Sequence, residues 1–303
     1  MTNDAVCPLC HASESPSQET FGAAKIISEW HKAFGIDIQD EFRGVPQFQL
    51  YRCAVCSLGF FKPESIAGSP ALYAALQNLA WYYMPRKWEY DIALLDLQGC
   101  KKGMEIGCGP GDFLERVRDV KEIPFEGCEQ NPAAVEAARR KGLQVYLERS
   151  ENLALQHPGS YDVVCAFQVL EHVTEPREFL DAATKLLCTG GKLLLGLPNA
   201  RSFLRHQFNL LDLPPHHMTR WNVEVLTRLQ RWFPLRLIRV AYEPLADYHV
   251  EGYVKARMRI LSALGFGRLG ETRIRSTIAR FIQISGMRKF LRGQSMYACF
   301  HRV

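Results

Sequence analysis

The chain lacks an apolar run of the length that a membrane span requires. No stretch approaches the roughly 18 apolar residues in a row that mark a membrane-spanning helix. The first ten residues also lack the apolar segment of a secretory signal peptide. Because the chain contains ten cysteines without such a signal, we expect a reducing compartment, and therefore a cytoplasmic protein.

Acidic residues are almost missing from the last part of the chain. Residues 252–303 contain eleven Lys or Arg and a single acidic residue, Glu271, although the net charge of the whole chain is only +5. A basic stretch can face nucleic acid, an anionic surface or a phosphorylated substrate, and it can equally be the solvated face of a helix. Contact of residues 252–303 with an anionic or membrane surface is one expectation. The oligomeric state is left open.

A glycine-rich turn is the most informative segment that is present. A short apolar strand at 104–106, which contains the acidic residue Glu105, leads into Gly107, Gly109 and Gly111. Glycines let the backbone approach a ligand closely, and the helix that follows offers free N–H groups to a carboxylate or phosphate. Glu129 ends the next predicted strand, where a carboxylate can accept hydrogen bonds from both hydroxyls of a ribose.

Two further strands continue the alternation of strands and helices. Residues 161–167 form a continuous apolar run, which is typical of a buried parallel strand. Pro176 opens the next helix, the glycine pair at 190–191 is expected to end it, and 192–197 form another buried strand. The pattern predicts an α/β fold.

These segments together resemble the class I S-adenosylmethionine-dependent methyltransferases. Within that family the chain is similar to a bacterial group with an N-terminal cysteine-pair module, which includes sugar methyltransferases. The resemblance implies an α/β fold with a Rossmann-like seven-stranded sheet whose last two strands form an antiparallel pair. It also implies a small zinc-binding module at 1–68, a methyltransferase domain at 69–303 and a helical insertion at about 247–293 of that domain.

The resemblance further implies the cofactor, S-adenosyl-L-methionine, and the residues that bind it. Glu105 would orient the methionine amino end, the glycines would clear room for it, and Gln168 would line the methionine side. Glu129 would hold the ribose, and the stretch 149–152 would border the adenine. The full cofactor-binding set is Glu105, Gly107, Gly109, Gly111, Glu129, Gln130, Ser150, Glu151 and Gln168.

Four cysteines form two CxxC pairs, Cys7 with Cys10 and Cys53 with Cys56. Four thiolates in this arrangement match tetrahedral zinc, and a site closed by four cysteines is structural. The 42 residues between the pairs exceed the about 15–20 of a zinc ribbon, so we expect a looped-out insertion that the segment 26–42 fills as a helix. A redox pair or unpaired structural cysteines are the alternatives.

The candidate catalytic residues are His216 and His217, in the stretch Leu-Pro-Pro-His-His-Met-Thr-Arg-Trp at 213–221. The stretch follows the fifth predicted strand, at the carboxyl edge where ligands bind in open α/β sheets. Histidines titrate near neutrality, and we favour His217 as the base. The alternative is a structural loop whose histidines bond to the backbone. If neither histidine acts, we would look to Tyr82, Tyr83 and His172.

Three functions are compatible with these features. The first is a methyltransferase that acts on a small molecule, with a nucleotide-linked sugar or glycan as the first expectation. The second is an RNA methyltransferase that uses the zinc module and the basic C-terminal region. The basic residues of this chain cluster after residue 252 and are not spread across the cofactor face. No acidic-Pro-Pro-aromatic motif follows Phe167. We therefore do not expect a nucleic-acid partner. The third is a non-enzymatic zinc-ribbon binding module.

Overall fold

The computed structural model describes residues 4–79, 81–121, 123–205, 207–263 and 271–303, with the backbone alone at 259–263 and 271–273. The N-terminal part contains β1 (Ser17–Gly22), α1 (Ala23–Phe34), β2 (Gln47–Arg52) and β3 (Gly59–Lys62). Helix α1 fills the insertion between the cysteine pairs, as expected. It ends at Phe34, earlier than predicted, because Gly35 takes a left-handed conformation that stops the helix.

The rest of the chain alternates helices and strands. Its elements are α2 (Pro70–Leu76), α3 (Trp88–Asp96), β4 (Gly103–Ile106), α4 (Asp112–Lys121), β5 (Phe125–Glu129), α5 (Pro132–Arg140), β6 (Gln144–Leu147), α6 (Ser150–Gln156), β7 (Tyr161–Phe167), α7 (Pro176–Leu186), β8 (Leu187–Pro198), β9 (Thr219–Arg220), α8 (Val223–Arg228), β10 (Leu235–Pro244), α9 (Val250–Ala263), α10 (Glu271–Ile284) and β11 (Arg292–Arg302).

Seven of these strands form the central sheet, in the order β10-β11-β8-β7-β4-β5-β6. The pairs within β4 to β8 are parallel, and β11 lies antiparallel to both β8 and β10. This confirms the Rossmann-like seven-stranded sheet with an antiparallel pair at one edge. The parallel strands are buried on both faces by helices, which is why β7 and β8 are almost continuously apolar.

One predicted helix end is wrong. Helix α7 ends at Leu186, and the glycine pair at 190–191 lies inside β8. A Cβ at Gly191 would lie 2.8 Å from the carbonyl oxygen of Cys188 and 3.1 Å from that of Asp162. The pairing of β7 with β8 shifts register in the same place. The strand is therefore irregular at these glycines, and a side chain at residue 191 would collide with the two carbonyl oxygens.

The N-terminal part packs directly onto the central sheet. Leu9, Cys53 and Phe60 belong to the same buried core as Met104 and Leu170. Strand β9, which lies between β8 and β10 in sequence, completes a second sheet in the order β1-β2-β3-β9. The boundary between residues 68 and 69 stays a prediction.

Helices α9 and α10 lie between β10 and β11, as expected for the insertion at 247–293, of which residues 264–270 lie outside the described residues. Helix α10 leaves the apolar side chains of Ile274, Ile278, Phe281 and Ile284 exposed. Contact of this region with an anionic or membrane surface stays a prediction. None of the helices in the described part of the chain has the length and apolar character that crossing a membrane requires.

Gly111 offers a test of the packing around the glycine-rich turn. Its φ is +80°, and a Cβ there would lie 2.4 Å from Leu143 Cδ1. Gly142 has a similar φ of +76°, but a Cβ would meet nothing within 4 Å. We expect Gly111→Ala to lower the free energy of unfolding by about 1–3 kcal/mol more than Gly142→Ala does, because only the first adds overpacking. Urea unfolding measures the difference, and equal losses would contradict the described packing.

Candidate active site

A cavity of about 490 Å³ opens at the carboxyl edge of the central sheet. The glycine-rich turn after β4 lines one part of it, and the loop that carries His216 and His217 lines another. Gln168, which follows β7, lies between them. This edge is where open α/β sheets bind their ligands, so the cavity is the candidate active site.

The glycine-rich turn keeps its backbone close to neighbouring groups. Gly107 has a φ of +70°, and a Cβ there would lie 2.6 Å from Val169 Cγ2. A Cβ at Gly109 would lie 3.0 Å from the ring of Tyr83. Side chains at these positions would therefore fill the floor of the cavity, which agrees with the role that the sequence predicts for the glycines.

Glu105 lies beneath this turn in β4 and is buried. Its Oε2 atom has no hydrogen-bond partner, and burial raises the pKa of the carboxyl group well above its usual range. An unpaired buried carboxylate is costly, so a positive charge nearby would stabilise it. Glu105 does not line the cavity, so its effect on a ligand there would pass through the turn above it.

Glu129 ends β5 and is tied to the backbone. Its Oε2 accepts a hydrogen bond from the Gly109 N–H at 3.0 Å, and its Oε1 accepts bonds from Gln130 N–H at 2.7 Å and Asn131 N–H at 2.8 Å. A carboxylate has about four lone-pair sites, so capacity remains for about one hydroxyl donor beside these three N–H groups. The side chain thus links the glycine-rich turn to the adjacent strand end.

The residues predicted to border the adenine lie farther along the same edge. Ser150 and Glu151 begin α6, directly after β6, and β6 pairs with β5 next to Glu129. Arg149 lies within 3.3 Å of the Glu151 carboxylate. Ser150, Glu151, Gln130 and Glu129 follow the rim of the sheet, whereas Gly107, Gly109 and Gln168 line the cavity itself.

Gln168 has an unusual backbone conformation. Its φ is +59°, which is rare for a residue other than glycine and is often found at functional sites. Its side-chain amide donates a hydrogen bond of 3.0 Å to Glu89 Oε1. Glu89 is buried in α3 and lines the cavity as well, although the sequence had not singled it out.

The second end of the cavity holds three histidines, which we call the histidine cluster: His172, His216 and His217. The rings of His216 and His217 stack, with centroids 4.6 Å apart, and His172 lies 4.5 Å and 4.9 Å from them. Burial lowers the pKa of His216 to about 3 and that of His172 well below its usual range. Both rings are therefore neutral.

Two acidic residues accompany the cluster. Asp212 Oδ1 lies 3.4 Å from His217 Nδ1. Glu171 Oε1 lies 4.0 Å from His217 Nε2 and 3.8 Å from His172 Nε2. Burial raises the pKa of Glu171 to about 7, and neither of its carboxylate oxygens has a hydrogen-bond partner.

Tyr82 and Tyr83, from the segment between α2 and α3, cover the cavity. The Tyr82 hydroxyl lies 3.3 Å from His216 Nε2, and Tyr83 lies against Gly109 at the other end. Burial raises the pKa of Tyr83 to about 12, so its hydroxyl stays protonated.

The four cysteines of the pairs come together on the far side of β3. Their sulfur atoms all lie within 4.8 Å of one another, and Cys7 Sγ and Cys56 Sγ are 3.5 Å apart. Sulfur atoms around a tetrahedral zinc are about 3.8 Å apart, since each zinc–sulfur bond is about 2.3 Å. Burial raises the pKa of Cys10 to about 12, whereas the hydrogen bond with Cys56 lowers the pKa of Cys7 to about 5. Four thiolates this close together repel one another unless a cation lies between them. The site fits zinc.

The two cysteine pairs have the same backbone turn. His11 N–H donates to Cys7 O, Ser57 N–H donates to Cys53 O, both at 3.0 Å. His11 and Ser57 both have a positive φ. Arg228 donates to Val55 O at 2.6 Å, so the second turn is anchored to α8.

The structure therefore gathers Gly107, Gly109, Gln168, His216 and His217 around one cavity. Glu171 and Asp212 are the site residues that sequence reasoning missed, together with Glu89. Glu171 adjoins His172 and Asp212 adjoins the proline pair, so proximity in sequence was the available signal. Only the tertiary fold shows that their carboxylates face the histidines.

Comparisons with known proteins agree with this geometry. The profile of a family described as a methyltransferase domain matches residues 80–239. A ubiquinone biosynthesis O-methyltransferase of Xanthomonas oryzae is 32% identical over 143 residues, which cover 42% of this chain and 59% of that protein. The protein of the same name from Psychrobacter cryohalolentis is 34% identical over 137 residues, which cover 40% of this chain and 53% of that protein. The chain thus spans less than two thirds of the length of both relatives.

Among solved structures, a methyltransferase that depends on S-adenosylmethionine, from Archaeoglobus fulgidus, is similar over 71% of this chain and 94% of that one, with a TM-score of 0.48 and 17% sequence identity.

Proposed function

The chain belongs to this methyltransferase family, and we propose that it transfers the methyl group of S-adenosylmethionine to a small-molecule acceptor at the histidine cluster. One observation carries the proposal: a single cavity connects the glycine-rich turn with the histidine cluster. Methyl transfer from a sulfonium is an in-line displacement whose leaving group is already activated, so the protein contributes mainly alignment and proximity. A cavity with a cofactor end and an acceptor end provides that alignment.

The cofactor end would use the predicted residues. Glu105 would orient the methionine amino end through the glycine-rich turn, Gly107, Gly109 and Gly111 would clear room for the methionine portion, and Glu129 would accept a hydrogen bond from the ribose. Gln130, Ser150, Glu151 and Gln168 complete the set. The unpartnered Glu105 Oε2 and the positive φ of the three glycines support these roles. When bound, S-adenosylmethionine supplies the methyl group.

The acceptor end would receive a hydroxyl group. The names of the two relatives, both O-methyltransferases, support an oxygen acceptor. A nucleotide-linked sugar or a glycan end remains our proposal for the acceptor class, and it rests on the resemblance of the N-terminal module to that of sugar methyltransferases.

Of the two predicted catalytic histidines, His217 is better placed to act on the acceptor. Asp212 faces its Nδ1 at 3.4 Å and so can stabilise positive charge on the ring. The Nε2 of His216 is already in contact with the Tyr82 hydroxyl. We propose that His217 acts on the acceptor hydroxyl and that His216 positions it.

We also propose that Cys7, Cys10, Cys53 and Cys56 hold a structural zinc ion. The four free thiols lie within 4.8 Å of one another, and a site of four cysteines leaves no position open for chemistry. Thiolates of this kind persist in a reducing compartment, which supports the cytoplasmic location predicted from the sequence.

Cofactor binding can be tested at Glu129. Glu129→Ala should weaken binding of S-adenosylmethionine by about 1–3 kcal/mol, because hydrogen bonds to a charged group are lost. Glu136→Ala removes an exposed carboxylate of α5 that pairs with Arg140 and should leave the affinity unchanged. Calorimetry measures both, and equal affinities in the two variants would remove Glu129 from the ribose role.

The proposed zinc site can be tested by measuring the amount of metal that is bound to thiolates in each chain. A mercurial reagent should release one zinc ion per chain from the native protein, since four thiolates bind it. Cys56→Ser should lose that ion, whereas Cys188→Ser, at a half-buried cysteine outside the pairs, should retain it. Absence of thiolate-bound zinc in protein purified without chelator would refute the proposal.

The function itself can be tested with methyl-labelled S-adenosylmethionine and fractionated cell extract. We expect label in the small-molecule fraction. His217→Ala should lose roughly 10²–10⁴-fold in kcat, the range for acid–base groups, and keep its cofactor affinity. His157→Ala, at the residue that follows α6 and does not line the cavity, is the matched control. Label in RNA would favour the nucleic-acid alternative, and binding without any transfer would favour the non-enzymatic one.

A further inference from the structure

We propose that His172, His216, His217 and Glu171 form a second metal centre, which binds a divalent first-row transition ion at the acceptor end of the cavity. The inference deepens the proposed function, on which it rests: His217 would act on the acceptor hydroxyl through the bound ion, as its ligand, and not by accepting the proton itself. It depends on how the two nitrogen atoms of each ring are used and on the unpartnered carboxylate among them.

Each histidine has an oxygen atom next to its Nδ1. His216 Nδ1 donates to Leu211 O at 3.0 Å, and His172 Nδ1 donates to His216 O at 2.7 Å. His217 Nδ1 faces Asp212 Oδ1 at 3.4 Å. These contacts place the ring proton on Nδ1 and leave the lone pair on Nε2. The Nε2 of His216 has the Tyr82 hydroxyl at 3.3 Å, which a bound ion would have to displace. Metal-binding histidines almost always have such an oxygen partner on the nitrogen that does not bind the metal.

The ring nitrogens of the three histidines are also close together. Each ring has a nitrogen, Nδ1 or Nε2, that lies within 4.8 Å of a nitrogen of each of the other two rings. Nitrogen ligands around a tetrahedral ion are about 3.4 Å apart, since metal–nitrogen bonds are about 2.0–2.1 Å. The longest separation must therefore shorten by little more than about 1 Å on binding, which side-chain rotation can supply.

The buried carboxylate of Glu171 also supports a metal ion here, independently of the ring nitrogens. It is 1% exposed, and both carboxylate oxygens lack hydrogen-bond partners. Its Oε1 lies 3.8 Å from His172 Nε2 and 4.0 Å from His217 Nε2. A buried carboxylate requires a compensating partner, and the nitrogens around it are those with free lone pairs. A cation between Glu171 and these nitrogens would pair with the carboxylate and would bind the nitrogen lone pairs.

This donor set is typical of a particular class of site. Imidazole ligands suit zinc, copper, iron and nickel, and catalytic sites combine protein ligands with a position open to substrate. All four side chains line the cavity, so the open position would face the acceptor.

The acceptor hydroxyl would then bind through its oxygen and lose its proton to water. A lone pair of that oxygen forms the new bond to the methyl carbon. The sulfur–methyl bond breaks, and its electron pair stays on sulfur as the neutral thioether of S-adenosylhomocysteine.

Cadmium NMR of the full chain distinguishes the two metal centres, because thiolate ligands shift the cadmium resonance strongly downfield of nitrogen and oxygen ligands. We expect two resonances from the loaded native protein. Glu171→Gln and His172→Ala should each remove the upfield resonance and keep the downfield one, which reports a folded cysteine site. Cys56→Ser should remove the downfield resonance. His249→Ala, at a histidine that lines the same cavity outside the cluster, should keep both.

Titration of the upfield site adds a quantitative check. Asp212→Ala removes only the partner of a ligand and should weaken cadmium binding about 10–100-fold. A single downfield resonance in the native protein, or an upfield resonance that persists in Glu171→Gln and His172→Ala, would overturn the proposal. Because cadmium binding is measured without turnover, such a result is distinct from failure of methyl transfer in the labelling experiment.

Discussion

The short pairing of β3 with β9 is the contact on which the candidate active site depends. Phe61 N–H donates to Met218 O at 3.0 Å, while Met218 and Thr219 N–H groups donate to Glu171 O at 2.8 and 3.0 Å. The residues next to the histidine pair are therefore bonded to the N-terminal sheet on one side and to the loop after β7 on the other. Strand β9 is only two residues long, so its position depends on these partners. The N-terminal module thus supports the acceptor end of the cavity from the outside.

Two buried carboxylates lie at the candidate active site, Glu171 in the cavity lining and Glu105 behind it. Glu105 lies beneath the glycine-rich turn, and Glu171 lies among the histidines. Both have oxygen atoms without partners, and burial raises both pKa values. Such groups are costly unless a cation pairs with them. The proposed cofactor brings an ammonium group to the first, and the proposed metal centre brings a cation to the second. The same physical demand therefore accounts for both ends of the site.

Local sequence patterns predicted much of the fold but only part of the candidate active site. Continuous apolar runs predicted the buried parallel strands, and the CxxC spacing predicted a cluster of four sulfurs that the structure contains. The prediction that the glycine pair at 190–191 ends the helix was wrong. Glycine after a helix is typical of a C-terminal cap, but this pair lies in an irregular part of β8. Asp212 and Glu89 could not be recognised, since their carboxylates reach the cavity only through tertiary packing. A pattern within one segment carries no information on which distant side chain will face it.

Hydrogen exchange measured with and without the thiolate-bound metal tests the central claim, that the N-terminal module holds the histidine-bearing loop. Exchange reports the local opening of hydrogen-bonded segments. The account predicts that removal of the metal exposes the amides of Phe61, Met218 and Thr219 to exchange, while the amides of β4 and β7 in the central sheet remain protected. Unchanged protection of Met218 and Thr219 after complete metal removal would contradict it, because the loop would then be held without the module.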